Sequence, residues 1–264
     1  MPTTIAQAAD RLIQAADTRV PCDPVRDLIG RDDQAAAYAV QRLVTEERIR
    51  RGARRCGRKI GLTSAAVQQQ LGVDQPDSGV LFADMVHRDG ALVPPGAVLQ
   101  PRVEAEVAFV LGADLDDGPL DAGQVRAATA YVVAALEICG SRIQDWDISF
   151  ADTVADNASS GAVVLGATPV GLAEVEPAEV AMLMTVDGAE VSTGTGRACL
   201  GDPVLAVAWL ARVSREVGDP LRAGDLVMSG ALGPMHPLAP GARVHAALTG
   251  LGTVTTTFGE RNER

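Results

Sequence analysis

The stretch Pro101-Arg102-Val103-Glu104-Ala105-Glu106-Val107-Ala108-Phe109-Val110 decides the fold. Its alternation is that of a β-strand, whose successive side chains point to opposite faces. Val103, Ala105, Val107 and Phe109 share one face. Glu104 and Glu106 share the other with Ala108 and Val110, so two carboxylates sit on a face whose continuation is apolar. Held this close and partly buried, they resist joint ionisation and need a shared proton or a cation. An oxygen-only donor set on a stiff strand suits Mg²⁺ or Mn²⁺. The simpler reading is that this end of the strand is wet.

Working outward, Tyr131 to Ile138 reads as a second, buried strand, and Glu137 closes its apolar run Val132-Val133-Ala134-Ala135-Leu136. A carboxylate there needs a partner. Three glutamates around one cation would leave positions for water and a chelating substrate, although spacing alone does not make them converge. Further on, Val180–Val186, the turn Asp187-Gly188 and Ala189–Ser192 form a hairpin pattern. Asp202-Pro203 starts a helix that ends near Gly218. Strands are expected near Asp225–Met228, Ala242–Leu248 and Thr253–Phe258. Before the deciding strand the texture is helical: Ile5 to Ala16, then Asp33 to Arg55 with Gly57 as its stop. A short strand Lys59–Leu62 follows, and then a helix from Thr63 or Ser64 to about Leu71. The predicted class is α+β, a helical N-terminal part (residues 1–72) on a larger strand-rich body (residues 73–264).

The chain has 264 residues, 47% hydrophobic and 22% charged, with a net charge of −11. That acidity lacks the electrostatic footprint of a nucleic-acid binder. No apolar run is long enough for a membrane span, and Met1-Pro2-Thr3-Thr4 opens no signal-peptide pattern, so a cytoplasmic location is expected. Four dispersed cysteines without a C-x-x-C pair and three separate histidines argue against a zinc site of the usual spacing. There is no phosphate-loop glycine pattern and no Gly-x-Ser-x-Gly elbow, which disfavours nucleotide binding and serine hydrolase chemistry.

Of 23 basic residues, 22 are arginine; the one lysine is Lys59. Lysine can lose its proton when desolvated, so it can act as an acid or a base where arginine cannot. Chance survival of a single lysine codon is the competing explanation. Asp77, in Gln75-Pro76-Asp77-Ser78-Gly79, is either a turn residue or a general acid/base. The segment Asp152 through Gly161 is either a locally hydrogen-bonded, capped turn or a substrate loop. Ser229 through Pro234 carries glycines for turn geometry or for close backbone approach to a ligand.

These segments together resemble the 2-keto-4-pentenoate hydratase family of the fumarylacetoacetate hydrolase superfamily. The matching stretches are Lys59-Ile60-Gly61-Leu62-Thr63-Ser64, Leu71 to Asp77, Gln100 to Glu106, Ala135-Leu136-Glu137-Ile138, Ser141-Arg142-Ile143, Asp152 to Gly161, Ala198 to Gly201 and Ser229 to Met235. The resemblance implies a mixed β-sandwich roll for the body and a homo-oligomer, often a decamer. It implies Glu104, Glu106 and Glu137 as ligands of Mg²⁺ or Mn²⁺, Lys59 and Asp77 in the acid/base and substrate-positioning apparatus, and Ser159 and backbone near Leu81 as substrate contacts. The implied reaction adds water to 2-hydroxypenta-2,4-dienoate or a short alkyl homologue, in meta-cleavage degradation of aromatic or steroid rings. The related 4-oxalocrotonate decarboxylases, which often partner a hydratase, and the superfamily C–C bond hydrolases are the alternatives. One departure is Cys139-Gly140, where members usually carry an apolar residue and an aspartate; it puts the surroundings of a metal ligand, and substrate length, in question.

Overall fold

The computed structural model describes residues 2–64, 68–69, 73–94 and 96–259. Two sheets, wrapped by helices, make up the α+β architecture expected from the sequence. Helix α1 (Thr4–Thr18) is capped by Thr3, whose hydroxyl accepts from the Ala6 amide; α2 is Arg26–Ile29, and α3 (Gln34–Arg50) is capped by Asp33. The strands are β1 (Arg55–Gly61), β2 (Asp77–Phe82), β3 (Val86–Arg88), β4 (Leu92–Val93), β5 (Arg102–Leu111), β6 (Thr129–Cys139) and β7 (Ala162–Leu165). They continue with β8 (Ala181–Val186), β9 (Ala189–Thr195), β10 (Leu226–Ala231), β11 (His236–Pro237), β12 (Arg243–Leu248) and β13 (Gly252–Phe258). Among them stand helices α4 (Ala122–Ala128), α5 (Phe150–Ala155) and α6 (Pro203–Glu216), each capped by the residue before it, Asp121, Ser149 and Asp202.

The larger sheet runs β2-β1-β10-β5-β6-β7-β3, with β11 pairing on β5; the smaller runs β4-β13-β12-β8-β9. Strand β5 has the alternation read from sequence. Val103, Ala105, Val107 and Phe109 enter the main core with Val132, Ala134, Leu136 and Ile138 of β6, side chains of the smaller sheet, and one face of α6. Ala108, Val133 and Ala135, on the opposite face, belong to a second apolar group with Val80, Leu81, Phe82 and Met228. Both faces of the sheet are therefore covered. The N-terminal helices form a third group with Phe150, Ala151, Val154 and Ala155 of α5.

Two boundaries differ from the sequence reading. Helix α3 ends at Arg50, and Gly52, at φ +97°, turns the chain away from it, so Arg54 and Arg55 lie outside the helix. Gly57, expected as the stop, sits within β1, where it lets that strand meet β10. A β-carbon there would lie 1.8 Å from the Leu226 carbonyl oxygen. Strand β1 accordingly begins at Arg55, earlier than the expected Lys59, and forms an interior strand of the larger sheet. The helix expected from Thr63 to Leu71 falls largely outside the described residues; Gln68 and Gln69 are helical.

Asp152 ties the helical part to the body. Its carboxylate accepts from the backbone amides of Val25 and Arg26, each at 2.9 Å, from the Arg26 guanidinium at 2.8 Å, and from the amide and hydroxyl of Ser149, each at 2.8 Å. Removing a fully buried charge partner strands the donors around it. Asp152→Ala is expected to lower unfolding free energy by about 3 kcal/mol, read from the urea midpoint at unchanged m-value.

Candidate active site

The acidic face of β5 is roofed, not wet. Glu104 is 7% exposed, and Glu106 and Glu137 are fully buried. Register places Glu104 directly opposite Glu137 across the β5–β6 pair, and Glu106 opposite Ala135 on one side and Ala231 of β10 on the other. Lys59 reaches the same face from β1, where it pairs with Gly79 of β2 and Met228 of β10. Asp77 arrives from the start of β2, paired with Gly61. Four strands thus deliver four carboxylates and one ammonium to one buried surface.

The Lys59 ammonium donates to the Ala158 carbonyl at 3.0 Å and lies 3.5 Å from Glu137 Oε2, an ion pair without hydrogen-bond alignment. Burial alone would drive its pKa down. Glu137, Glu104 and Asp77 outweigh that and push it well above the ordinary lysine value, which favours the ammonium form. The carboxyl groups show the reverse. Burial raises the pKa of Glu137 to about 7, against the pull of Lys59. Burial raises Glu106 well above the usual range, and the charges of Glu137 and Glu104 add to it, while burial also raises Asp77. One ammonium is too little positive charge for this group.

Among the described residues, both oxygens of Glu137, Oε1 of Glu106 and Oδ1 of Asp77 are buried without a hydrogen-bond partner. The other oxygen of Glu106 accepts from the Gly230 amide at 2.8 Å. The glycine-bearing end of β10 therefore approaches the site closely, with its backbone donating to a glutamate. Orphaned oxygens on neighbouring strands, in a site short of positive charge, fit a divalent cation; donor atoms of Glu104, Glu137 and Cys139 lie within 4.8 Å of one another, and Glu106 offers an orphaned oxygen on the same face.

The segment after α5 closes the site. Asn157, Ala158 and Ser159 all have positive φ, at 55°, 50° and 55°, which is costly for non-glycine residues. Two anchors hold them. The Asn157 side chain donates to the Val80 carbonyl at 3.0 Å and accepts from the Val80 amide at 2.7 Å. The Arg142 amide donates to Asp156 at 2.9 Å, and its guanidinium bonds Asp156 and, at 2.7 Å, the Ser160 carbonyl. This geometry presents the Ala158 carbonyl to Lys59. It places the Ser159 hydroxyl 3.4 Å from that of Thr153, which in turn donates to Asp77 Oδ2 at 3.4 Å. The hydrogen-bonded, capped reading holds for Asp152 and Asp156, while Thr153, Ala158 and Ser159 lie beside Lys59 and Asp77.

Leu81 lies on the same β2 face as Asp77, fully buried among apolar neighbours. Thr153 was not singled out in the sequence, where a threonine inside a capped helix carries no signal of a carboxylate partner from another strand. Glycine 61 leaves room for Asp77; a β-carbon there would sit 2.2 Å from Asp77 Oδ1. At Gly140 it would sit 2.2 Å from Val98 Cγ1 and 2.6 Å from the Leu99 carbonyl, so this backbone has no room for the aspartate expected of relatives.

A sheet carrying clustered glutamates and covered by N-terminal helices defines a class, and the comparisons agree with it. The family model described as fumarylacetoacetate (FAA) hydrolase C-terminal matches residues 57–259. The solved 4-oxalocrotonate decarboxylase from Pseudomonas putida G7, complexed with magnesium and adipate, superposes with a TM-score of 0.91 at 32% identity, covering 97% of each chain. The TodF product hydratase of Pseudomonas putida is 52% identical over 254 residues, 96% of this chain and 95% of that protein. A 2-keto-4-pentenoate hydratase of Paraburkholderia xenovorans is 50% identical over 257 residues, 97% of this chain and 96% of that protein. The chain belongs to the 2-keto-4-pentenoate hydratase family, within the FAA hydrolase fold.

Proposed function

We propose that this enzyme adds water to 2-hydroxypenta-2,4-dienoate, or a short alkyl homologue, to give 4-hydroxy-2-oxopentanoate or its homologue, in meta-cleavage degradation of aromatic or steroid rings. The observation that carries the reading is the buried group of Glu104, Glu106, Glu137, Asp77 and Lys59, with orphaned carboxylate oxygens on adjacent strands, in a chain about half identical to hydratases. A Mg²⁺ or Mn²⁺ ion held by the three glutamates would supply positive charge against the negative charge that develops on the substrate's 2-oxygen. Assembly as a homo-oligomer and a cytoplasmic location belong to the same reading.

The chain's own groups account for the proton traffic. The substrate must lose its 2-hydroxyl proton and gain one at C5, giving a 2-oxo-3-enoate. Water then adds at C4, and C3 takes a proton. Asp77, whose pKa is raised by burial, carries protons between these atoms. Lys59 stays charged and donates toward the 2-oxygen. Ser159 and backbone near Leu81 hold the substrate, while the covering segment 157–159 excludes bulk water.

The likeness to a decarboxylase structure supplies the second reading, CO₂ loss from a longer diacid. The chain is expected to convert the dienoate with Mg²⁺ or Mn²⁺ to the 4-hydroxy-2-oxo acid and to turn over a 2-oxo-hexenedioate poorly. Product analysis on one preparation decides between them: CO₂ release from the diacid at a comparable or faster rate would assign the decarboxylase.

A further inference from the structure

Cys139 is placed unlike the other cysteines. On β6 it shares a face with Glu137, two residues earlier, and it is 3% exposed. Its thiol donates to Glu104 Oε1 at 3.4 Å. One donor atom from each of Glu104, Glu137 and Cys139 lies within 4.8 Å of the other two. The buried Cys199 donates instead to the carbonyls of Gly230 and Ala231, and Cys22 and Cys56 are half-buried elsewhere. Glu137 Oε1, buried without a hydrogen-bond partner, and Oε2, met only by the Lys59 ammonium at 3.5 Å, have capacity for a cation independently of the thiol.

We propose that Cys139 gives this centre a second, mixed donor set, Glu104–Glu137–Cys139, which captures soft divalent cations such as Zn²⁺ and Cd²⁺. The inference rests on the reading of the glutamates as a cation site and adds to it a selectivity set by Cys139. Hard ions take carboxylate oxygens, whereas Zn²⁺ and Cd²⁺ favour sulfur. The two sets share Glu104 and Glu137, so a soft ion held through sulfur excludes the hard ion. Capture breaks the S–H bond, forms a sulfur–cation bond and releases one proton to solvent. A valine would fill the same buried space without offering a donor.

The test uses the full chain, Cys139→Val and Cys139→Ser, with circular dichroism to confirm folding. Cd²⁺ is titrated while the ultraviolet sulfur-to-cadmium charge-transfer band is followed. Mn²⁺ binding is measured separately by electron paramagnetic resonance. The unaltered chain is expected to show a one-thiolate band that both variants lack. Cd²⁺ affinity should fall on the order of tenfold or more in Cys139→Val, the scale on which loss of even an outer partner weakens a metal site, with Mn²⁺ affinity little changed. Normal Mn²⁺ binding without a Cys139-dependent band overturns the inference and leaves the carboxylate site standing. A band that survives in both variants assigns the sulfur to another cysteine and also overturns it. A Cys139-dependent band with no Mn²⁺ binding upholds the mixed set and removes the Mg²⁺/Mn²⁺ reading. Failure to bind either ion removes both.

Discussion

Glu137→Gln is expected to lower kcat/KM by roughly 10³-fold, the scale lost when one preorganised electrostatic group is removed from a dry site. The loss should accompany loss of divalent-cation binding. Glu137 is fully buried, neither oxygen has a hydrogen-bond partner among the described residues, and it faces Glu104 across the strand pair. The amide keeps the size of the side chain and removes the negative charge that a cation needs. A second readout separates binding from chemistry. A ligand that binds the folded chain alone stabilises it by about 2.7 kcal/mol at a hundred times its Kd. Mg²⁺ or Mn²⁺ should therefore raise the Tm of the unaltered chain and leave Glu137→Gln unmoved. Chelator treatment should match the substitution, abolishing turnover until the ion is restored. An equal Tm rise in Glu137→Gln, or turnover that survives chelation, would dissociate this glutamate from metal-dependent chemistry.

Lys59→Arg is expected to fail nearly as badly as Lys59→Ala, each losing about 10²- to 10³-fold in kcat, the scale of one positioned donor to a developing oxyanion. The ammonium is 3% exposed, with the Ala158 carbonyl at 3.0 Å and Glu137 at 3.5 Å. Arginine would keep the charge but needs space for a planar fork, and Asp77 and the positive-φ segment 157–159 crowd that side. Steady-state kinetics on folded variants checks this. Retained turnover in Lys59→Arg would show that positive charge alone suffices and that the placement of the ammonium toward the 2-oxygen does not matter. Among the described residues the carboxylates around it push its pKa up against burial, a balance its place in the sequence left open.

Much of the site was legible because strands write their faces into the sequence. The alternation around Glu104 and Glu106 and the apolar run ending at Glu137 marked three carboxylates that the structure buries. The singular lysine marked Lys59. The helix cap at Asp202 and the hairpin turn at Asp187-Gly188 were equally local and equally readable. Gly57 was misread because a glycine after a basic helix end looks like a stop. Its requirement comes from the Leu226 backbone, more than a hundred residues away in sequence, and no local pattern reports that.

The sequence by itself determined which residues prefer strand or helix, which face of β5 is apolar and which groups cannot rest in water, since these follow from side-chain period and solvation within a short window. Only the tertiary structure decided that β1, β2, β5 and β6 bring Lys59, Asp77 and three glutamates to one face, because their register is set by packing between distant strands. It also decided the surroundings that push the Lys59, Glu137 and Glu106 pKa values up, and that Cys139 points at Glu104. Charge and donor geometry depend on what surrounds a group in space, and the surroundings of this site come from across the chain, from Lys59 to Gly230.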